Sequence, residues 1–295
     1  MFEPVAKRLV VTGASGFLGG HVVPLLVDRG WQVSALVRSD KAADAVTALG
    51  AEPLEGDLDR PASVIDAFGR SGSNVLANLA SLGFGHAATV VTAAERTGLH
   101  RAVFVSTTGI FTGLNPPSKR VRVEAERCIR DSALAWTIVR PTMIYGTPGD
   151  RNMWRLLQLL RRTPIVPLPG GGRRLQQPVH VDDLAHGIVV AIGVPTAIGK
   201  AYDLAGPAPL SFRDVVKQAA QALGRRAVVV PVPAAPLLWG LRWVEAAGRR
   251  APIKAEQIER LLEDKAFDID PARRDLGYAP RTFAEGIAAE VQMTR

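Results

Sequence analysis

Three glycines near the N-terminus are spaced to hold a pyrophosphate. The β-branched run Arg8–Val11 leads into Thr12-Gly13-Ala14-Ser15-Gly16-Phe17-Leu18-Gly19, and a helical period follows over Phe17–Asp28. A chain that turns sharply out of a strand favours a residue tolerant of positive φ, which Gly13 supplies. Gly16 leaves room for phosphate oxygens to approach the backbone, and Gly19 lets the new helix pack closely. The N–H groups between Ser15 and Gly19, including those of Phe17 and Leu18, then face the phosphates, and the helix dipole favours their negative charge. A glycine triplet alone is weak. Its place between a strand and a helix makes this a dinucleotide site.

A second position selects among dinucleotides. The candidate strand Gln32–Val37 ends at Arg38-Ser39, with Lys41 nearby. A free ribose 2′-hydroxyl usually meets an acidic residue about 20 residues past the glycines. Here a guanidinium stands at that place, and it can stack on adenine and pair with a 2′-phosphate. NADP(H) is therefore the expected cofactor. NAD(H) is the alternative, should Asp40 meet the ribose instead.

The elements that must position these residues follow from periodicity. Further strands are expected at Glu52–Leu54, Asn74–Asn78, Ala102–Val105 and Thr137–Val139. Helical periods lie between them at Lys41–Leu49, Pro61–Phe68, Ala87–Thr97 and Lys119–Arg130. Such alternation implies βαβ crossovers: an α/β fold with a doubly wound parallel sheet and helices on both faces. In the first helix Pro24 is awkward, since an interior proline removes a hydrogen bond. After Tyr145 the pattern loosens around one helix, Met153–Arg161, then returns with a helix near Asp182–Ile192 and a strand, Tyr202–Leu204. The tail reads as helical at Phe212–Leu223, Leu237–Ala247 and Ala255–Asp264. Residues 1–145 are thus expected to form the dinucleotide-binding domain, with 179–205 returning to it. Residues 146–178 and 206–295 are expected to form a smaller, mainly helical substrate or lid lobe.

Composition bounds the rest. The 295 residues are 47% hydrophobic, enough for a sizeable core. One cysteine, Cys128, excludes an internal disulfide and a cysteine-rich zinc site. The net charge of +8 is scattered in small clusters, with no basic stripe and no stacking aromatics beside one, so no nucleic-acid partner is expected. The longest apolar stretch, 227–241, is broken by Pro231, Pro233 and Pro236, so no membrane span is expected and the protein reads as cytoplasmic. His180 and His186 are not spaced as ligands on one helix face, and no metal is expected. Leu237, Leu238, Trp239, Leu241, Trp243 and Val244, flanked by Arg242, Arg249 and Arg250, read as an amphipathic surface. A membrane surface, a lid over the substrate cleft or a homodimer contact would each use it.

Read together, these residues resemble the short-chain dehydrogenase/reductase superfamily in its extended or atypical branch, that of nucleotide-sugar epimerases and reductase-like relatives. Besides the glycine turn, the resemblance rests on Gly56-Asp57-Leu58, Asn78-Leu79-Ala80, Val105-Ser106-Thr107-Thr108, Arg140-Pro141-Thr142-Met143-Ile144-Tyr145-Gly146, Val179-His180-Val181-Asp182-Asp183 and Leu276-Gly277-Tyr278-Ala279-Pro280. It implies that Asp57 and Leu58 flank the adenine. Leu79 and Ala80 would line the path to the nicotinamide ribose, and Pro141 to Ile144 would pass the nicotinamide. Thr108 falls where the family's catalytic Ser or Thr lies, and Arg173 and Arg174 where relatives often hold a substrate phosphate. Asp182 is expected to cap a helix, and His180 to be structural. The substrate implied is a small carbonyl or hydroxyl compound, or one of nucleotide-sugar type.

The match breaks at the family's tyrosine and lysine, four residues apart on one helix face. The corresponding segment is Asn115-Pro116-Pro117-Ser118-Lys119-Arg120-Val121-Arg122-Val123-Glu124-Ala125-Glu126. An acidic residue often follows the lysine by four, so Glu126 points to Arg122 as the lysine position and Ser118 as the tyrosine position. The register Asn115/Lys119 would place two prolines inside the shared turn. Neither supplies a tyrosine, and Tyr145, Tyr202 and Tyr278 all lie elsewhere. Three readings stay open. An enzyme would draw its proton from Tyr145, Thr108, water or the substrate. A redox sensor or partner-binding module would bind NADP(H) without turnover, and a scaffold would hold the cofactor structurally. Lys119, Arg120 and Arg122 either line the substrate side and select an anion, or form a solvated face paired with Glu124 and Glu126.

Overall fold

The β-branched runs of the first half all become strands of one parallel sheet. The computed structural model describes residues 7–150, 152–246, 248 and 255–293. In chain order the strands are β1 (Arg8–Thr12), β2 (Gln32–Val37), β3 (Glu52–Glu55), β4 (Val75–Asn78), β5 (Arg101–Val105), β6 (Ala135–Pro141), β7 (Ile144–Tyr145), β8 (Ile165–Pro169), β9 (Leu175–Gln176), β10 (Val179–His180), β11 (Lys200–Leu204), β12 (Leu210–Ser211) and β13 (Val228–Val232). The helices are α1 (Gly19–Asp28), α2 (Asp40–Thr47), α3 (Pro61–Arg70), α4 (Ala87–Thr97), α5 (Pro117–Arg130), α6 (Met153–Arg162), α7 (Val181–Gly193), α8 (Phe212–Ala222), α9 (Ala234–Ala246), α10 (Ala255–Leu261), α11 (Asp270–Leu276) and α12 (Phe283–Gln292).

The main sheet has the order β3-β2-β1-β4-β5-β6-β11, and each of its pairings is parallel. Strand order reverses between β1 and β4, and ligands of open α/β sheets bind outside the carboxyl ends of strands at such a switch point. Thr12 pairs with Leu36 on one side and Asn78 on the other, so the three strand ends that frame the crevice are level. Helices cover both faces, which is why β4 and β5 are buried throughout rather than alternating. α1, α2, α7 and α11 pack on one face, and α3, α4 and α5 on the other.

A third apolar cluster lies apart from the sheet. It joins Tyr145 to Met153 and Leu157 of α6, Val166 and Leu168 of β8, Val215 and Val216 of α8, and Phe283, Ile287 and Val291 of α12. The tail is not uniform, since Ala272 and Leu276 of α11 return to the first sheet face. Helix α1 runs unbroken through Pro24. The expected cap of α7 is corrected. His180, not Asp182, occupies the N-cap and accepts from the Asp182 N–H, while Asp182 sits in the first turn. The Asp182 carboxylate meets His21 Nδ1 at 2.8 Å, tying α7 to α1.

Helix α9 buries none of its residues. Trp239 and Trp243 stack on each other at 6.2 Å and stay 68% and 67% exposed, so in the single chain they do not form a packed lid. Ala247, Arg249 and Arg250 lie outside the described residues. Among the described residues no helix is long and apolar enough to cross a membrane, and no group of three or more His, Cys, Asp or Glu could hold a metal ion.

Candidate cofactor and active site

The glycine turn sits at the switch point, and sterics explain its residues. Gly13 has φ of 73°, and a Cβ there would lie 2.6 Å from the Ala80 nitrogen. The turn thus presses directly on the end of β4. A Cβ at Gly19 would collide with the Ala14 carbonyl oxygen, so this glycine lets the helix start pack on the turn itself rather than on the sheet. No side chain caps α1, and its N-cap residue, Leu18, is already helical. The N–H groups of Gly20, His21 and Val22 already donate to the Gly16 and Leu18 carbonyls, so the turn just before them, at the N-terminal end of the helix dipole, is the part that suits an anion. Ser15 and Gly16 are exposed beside them.

Side chains lock the two strand ends together. Thr12 Oγ1 donates to Asn78 Oδ1 at 2.6 Å, and Asn78 Nδ2 donates to the Ala80 carbonyl at 3.1 Å. This fixes Leu79 and Ala80 against the turn. Phe17 closes the other side, its ring touching Gly149 beyond β7 and packing edge-on to His21.

At the adenine end Arg38 is exposed where β2 stops. Ser39 caps α2, its hydroxyl accepting from the Ala42 N–H. Asp40 occupies the first turn of α2, where a negative charge favours the helix dipole. Asp57 Oδ1 accepts from the Asp59 N–H, and the Asp57 N–H donates to Ser63 Oγ, so the loop after β3 is held locally. Leu58 packs on the second face.

At the reaction end Thr107 caps a 3-10 turn, Thr108–Phe111. Thr108 is buried, and its hydroxyl donates to the Pro141 carbonyl at 3.2 Å. Two residues distant in sequence, Thr108 and Pro141, therefore meet. Helix α5 starts at Pro117, so Asn115 lies outside it and Ser118 falls in its first turn. One turn on, the Arg122 guanidinium lies flat on Gly83, within about 3 Å of where a Cβ would stand. Gly83 follows closely on Ala80, so Arg122 reaches the track that begins at Gly13. One further turn on, Glu126 is buried and accepts from Arg140 at 2.8 and 2.6 Å and from Arg130 at 3.2 Å. Desolvation alone would raise the Glu126 pKa. The hydrogen bonds and charge of Arg140, with the hydrogen bond from Arg130, overcome it and hold the carboxylate below its ordinary value. Glu126 is thus an anchor for β6, not a partner of Arg122. Lys119 donates to the Thr112 carbonyl at 2.5 Å, and Arg120 is exposed.

Tyr145 is placed elsewhere. It is 1% exposed, stacked between His180 at 5.3 Å and Phe283 at 5.0 Å, with its hydroxyl against Gly286 in the third apolar cluster. Burial, reinforced by the nearby Asp183 charge, pushes its pKa well above the phenol value. Ile144, its neighbour in β7, pairs with Val179. Arg174 pairs with Asp264 at 2.8 Å, and Arg173 beside it is exposed.

Some neighbours of the site carried no signal in sequence. Glu263 accepts from Thr112 Oγ1 at 2.5 Å and from the Gly113 N–H at 2.7 Å, pinning the tail to the loop that leads into α5. Phe267 packs on Phe111 at 6.1 Å, and the Arg140 guanidinium lies over that same ring at 5.0 Å. Phe84 and Phe111 stand 75% and 53% exposed.

Residues 13–163 match the model of a family described as NAD(P)H-binding. A 4-hydroxy-2-methyl-3-oxo-4-farnesyl-3,4-dihydroquinoline-1-oxide ketoreductase of Stigmatella aurantiaca is 30% identical, over 96% of this chain and 95% of its own length. A 2-alkyl-3-oxoalkanoate reductase of Stenotrophomonas maltophilia is 27% identical, over 94% and 96%. An NADPH-dependent quinone oxidoreductase from Escherichia coli superposes with a TM-score of 0.77 over 97% of this chain and all of its own, at 18% identity. The chain belongs to the NAD(P)H-binding family and is an atypical member of the short-chain dehydrogenase/reductases.

Proposed function

We propose that this member of the atypical short-chain dehydrogenase/reductases is an NADP(H)-dependent carbonyl reductase that works without the usual tyrosine. One observation carries the reading. Gly13 abuts Ala80, and Arg122 lies on Gly83 a few residues further, so a single track runs from the phosphate turn to Thr108 and α5. The names of the two relatives, a ketoreductase and a 3-oxoalkanoate reductase, support carbonyl reduction.

The residues present fit the cofactor. The turn Gly13–Gly19 would hold its pyrophosphate, Asp57 and Leu58 its adenine, Leu79, Ala80 and Arg122 its second ribose, and Pro141 and Ile144 its nicotinamide. Ser39 and Asp40 are already engaged by α2, which leaves exposed Arg38 for a 2′-phosphate and favours NADP(H) over NAD(H). When bound, the reduced cofactor supplies a hydride to the substrate carbonyl carbon. Thr108, held by Pro141, orients the carbonyl oxygen. Arg122 cannot serve as an acid, since a guanidinium keeps its proton. Its fixed charge instead stabilises the negative charge that develops on that oxygen, and the proton comes from water. Ser118, in the first turn of α5, lines the same side without acting as an acid. Tyr145 serves packing.

The test is a carbonyl panel followed by loss of NADPH absorbance. Turnover is expected, lowered about 100-fold by Thr108→Ala and little changed by Tyr145→Phe. NADPH binding with no turnover on any carbonyl would instead favour a sensor.

A further inference from the structure

Two long stretches of the chain carry no acid. No Asp or Glu occurs between Asp150 and Asp182, or between Asp214 and Glu245, whereas Arg155, Arg161, Arg162, Arg225, Arg226 and Arg242 fall within them. The fold pairs these stretches. β13 runs parallel to β8, with Val228 opposite Ile165 and Val230 opposite Pro167. Side chains alternate across a strand. Val166, Leu168 and Val229 accordingly turn to the third apolar cluster, and Ile165, Pro167, Val228 and Val230 are left exposed on the outer face. A solvated strand face ordinarily alternates to polar residues, yet these four are all apolar.

Arginines stand at one end of that face. Parallel pairing puts the starts of β8 and β13 together, and two bonds fix them there. Arg225 donates to the Arg161 carbonyl at 2.6 Å, and the Val228 N–H donates to the Pro164 carbonyl at 2.7 Å. Arg162 and Arg226, both exposed, therefore lead into the ribbon from the same end. Past its other end, Pro233 alone separates β13 from α9. Helix α9 buries none of its residues, and Trp239 and Trp243, one turn apart, share an exposed face. Arg242 on this helix is paired with Glu259, so the unanswered charge lies at the ribbon. A second copy related by a two-fold axis would bring the same acid-free surface against itself, arginine towards arginine. An anionic bilayer complements both parts: tryptophan and aliphatic side chains enter the headgroup boundary, and the arginines gain from its negative surface potential.

We propose that the outer face of β8 and β13, together with α9, seats the protein on an anionic lipid surface, lying on the bilayer rather than crossing it. The full chain is sedimented with vesicles of phosphatidylcholine and phosphatidylglycerol in equal parts, and with vesicles of phosphatidylcholine alone. Binding is expected to be about tenfold tighter to the anionic vesicles, and to weaken as salt is raised. Arg162→Gln combined with Arg226→Gln should remove most of that preference. Val230→Glu should weaken binding about tenfold. Trp239→Phe combined with Trp243→Phe should still bind, but without the blue shift of tryptophan emission that vesicles induce in the wild type. NADPH affinity should stay unchanged in every variant, which checks that each one folds. Equal binding to both kinds of vesicle, no binding, or undiminished binding by Val230→Glu would overturn the proposal. A lipid-free dimer that Val230→Glu dissociates would also overturn it, since a second copy would then cover the face.

Discussion

At the phosphate end of the crevice, backbone meets backbone. Gly13 touches Ala80 and Gly19 touches Ala14, and neither contact has room for one more carbon. At the reaction end, side chains make the contacts: Thr108 on Pro141, Arg122 on Gly83, Lys119 on Thr112. The difference teaches where the fold leaves chemical freedom. A backbone contact admits glycine alone, whereas a helix face keeps its register through one buried anchor, Glu126, and can vary the residues one and two turns earlier. With Ser118 and Arg122 in the family's tyrosine and lysine places, as proposed, the cofactor track is left undisturbed.

The strongest way to break this contrast is to add carbon at the turn. Gly19→Val should cost about 3 kcal/mol or more of stability, because the clash is with backbone that cannot step aside, and should abolish NADPH binding in a fluorescence titration. Near-normal affinity would mean that the turn is not the phosphate site. A smaller effect is expected at the anchor. Glu126→Gln should cost about 2 kcal/mol in urea unfolding, the worth of charge-assisted hydrogen bonds. Since the folded-state pKa of Glu126 is depressed, its contribution is full above the ordinary carboxylate pKa and fades as pH falls through the folded value. The variant should therefore lose less stability than wild type on acidification, and parallel acid profiles would remove Glu126 as the anchor. The smallest effect sharpens the adenine end. Arg38→Ala should weaken NADPH binding about tenfold, roughly 1.4 kcal/mol, and leave NADH untouched. Equal losses for both cofactors would show that Arg38 only stacks on adenine.

The sheet and its phosphate turn were legible because both depend on local pattern. Gln32–Val37 is a β-branched run that becomes a strand with those bounds, and Gly13 sits where a strand must turn. Glu126 stood out in sequence as an acidic residue of α5, and it is buried against Arg140. Long-range packing hid the rest. Tyr145 has the chemistry of a proton donor, but His180 and Phe283, distant in sequence, decide that it is core. Two-residue strands such as β9 and β12 carry no periodicity. Helix α12 did leave a signal, the capping box Thr282 to Glu285. The segment after α10 left none, because long-range contacts, Glu263 to Thr112 and Gly113 and Phe267 to Phe111, bring it to the loop before α5.

The central claim is that the track from Gly13 to Arg122 supports hydride transfer without a tyrosine. Deuterium label transfer tests it most directly. NADPH deuterated at the transferable nicotinamide position is incubated with the wild-type chain and the carbonyl panel, and the products are read by mass spectrometry. The account predicts label on the carbinol carbon, kept in Tyr145→Phe and largely lost in Thr108→Ala. NADPH bound at the crevice with no label reaching any carbonyl, or label lost in Tyr145→Phe while Thr108→Ala keeps it, would contradict it.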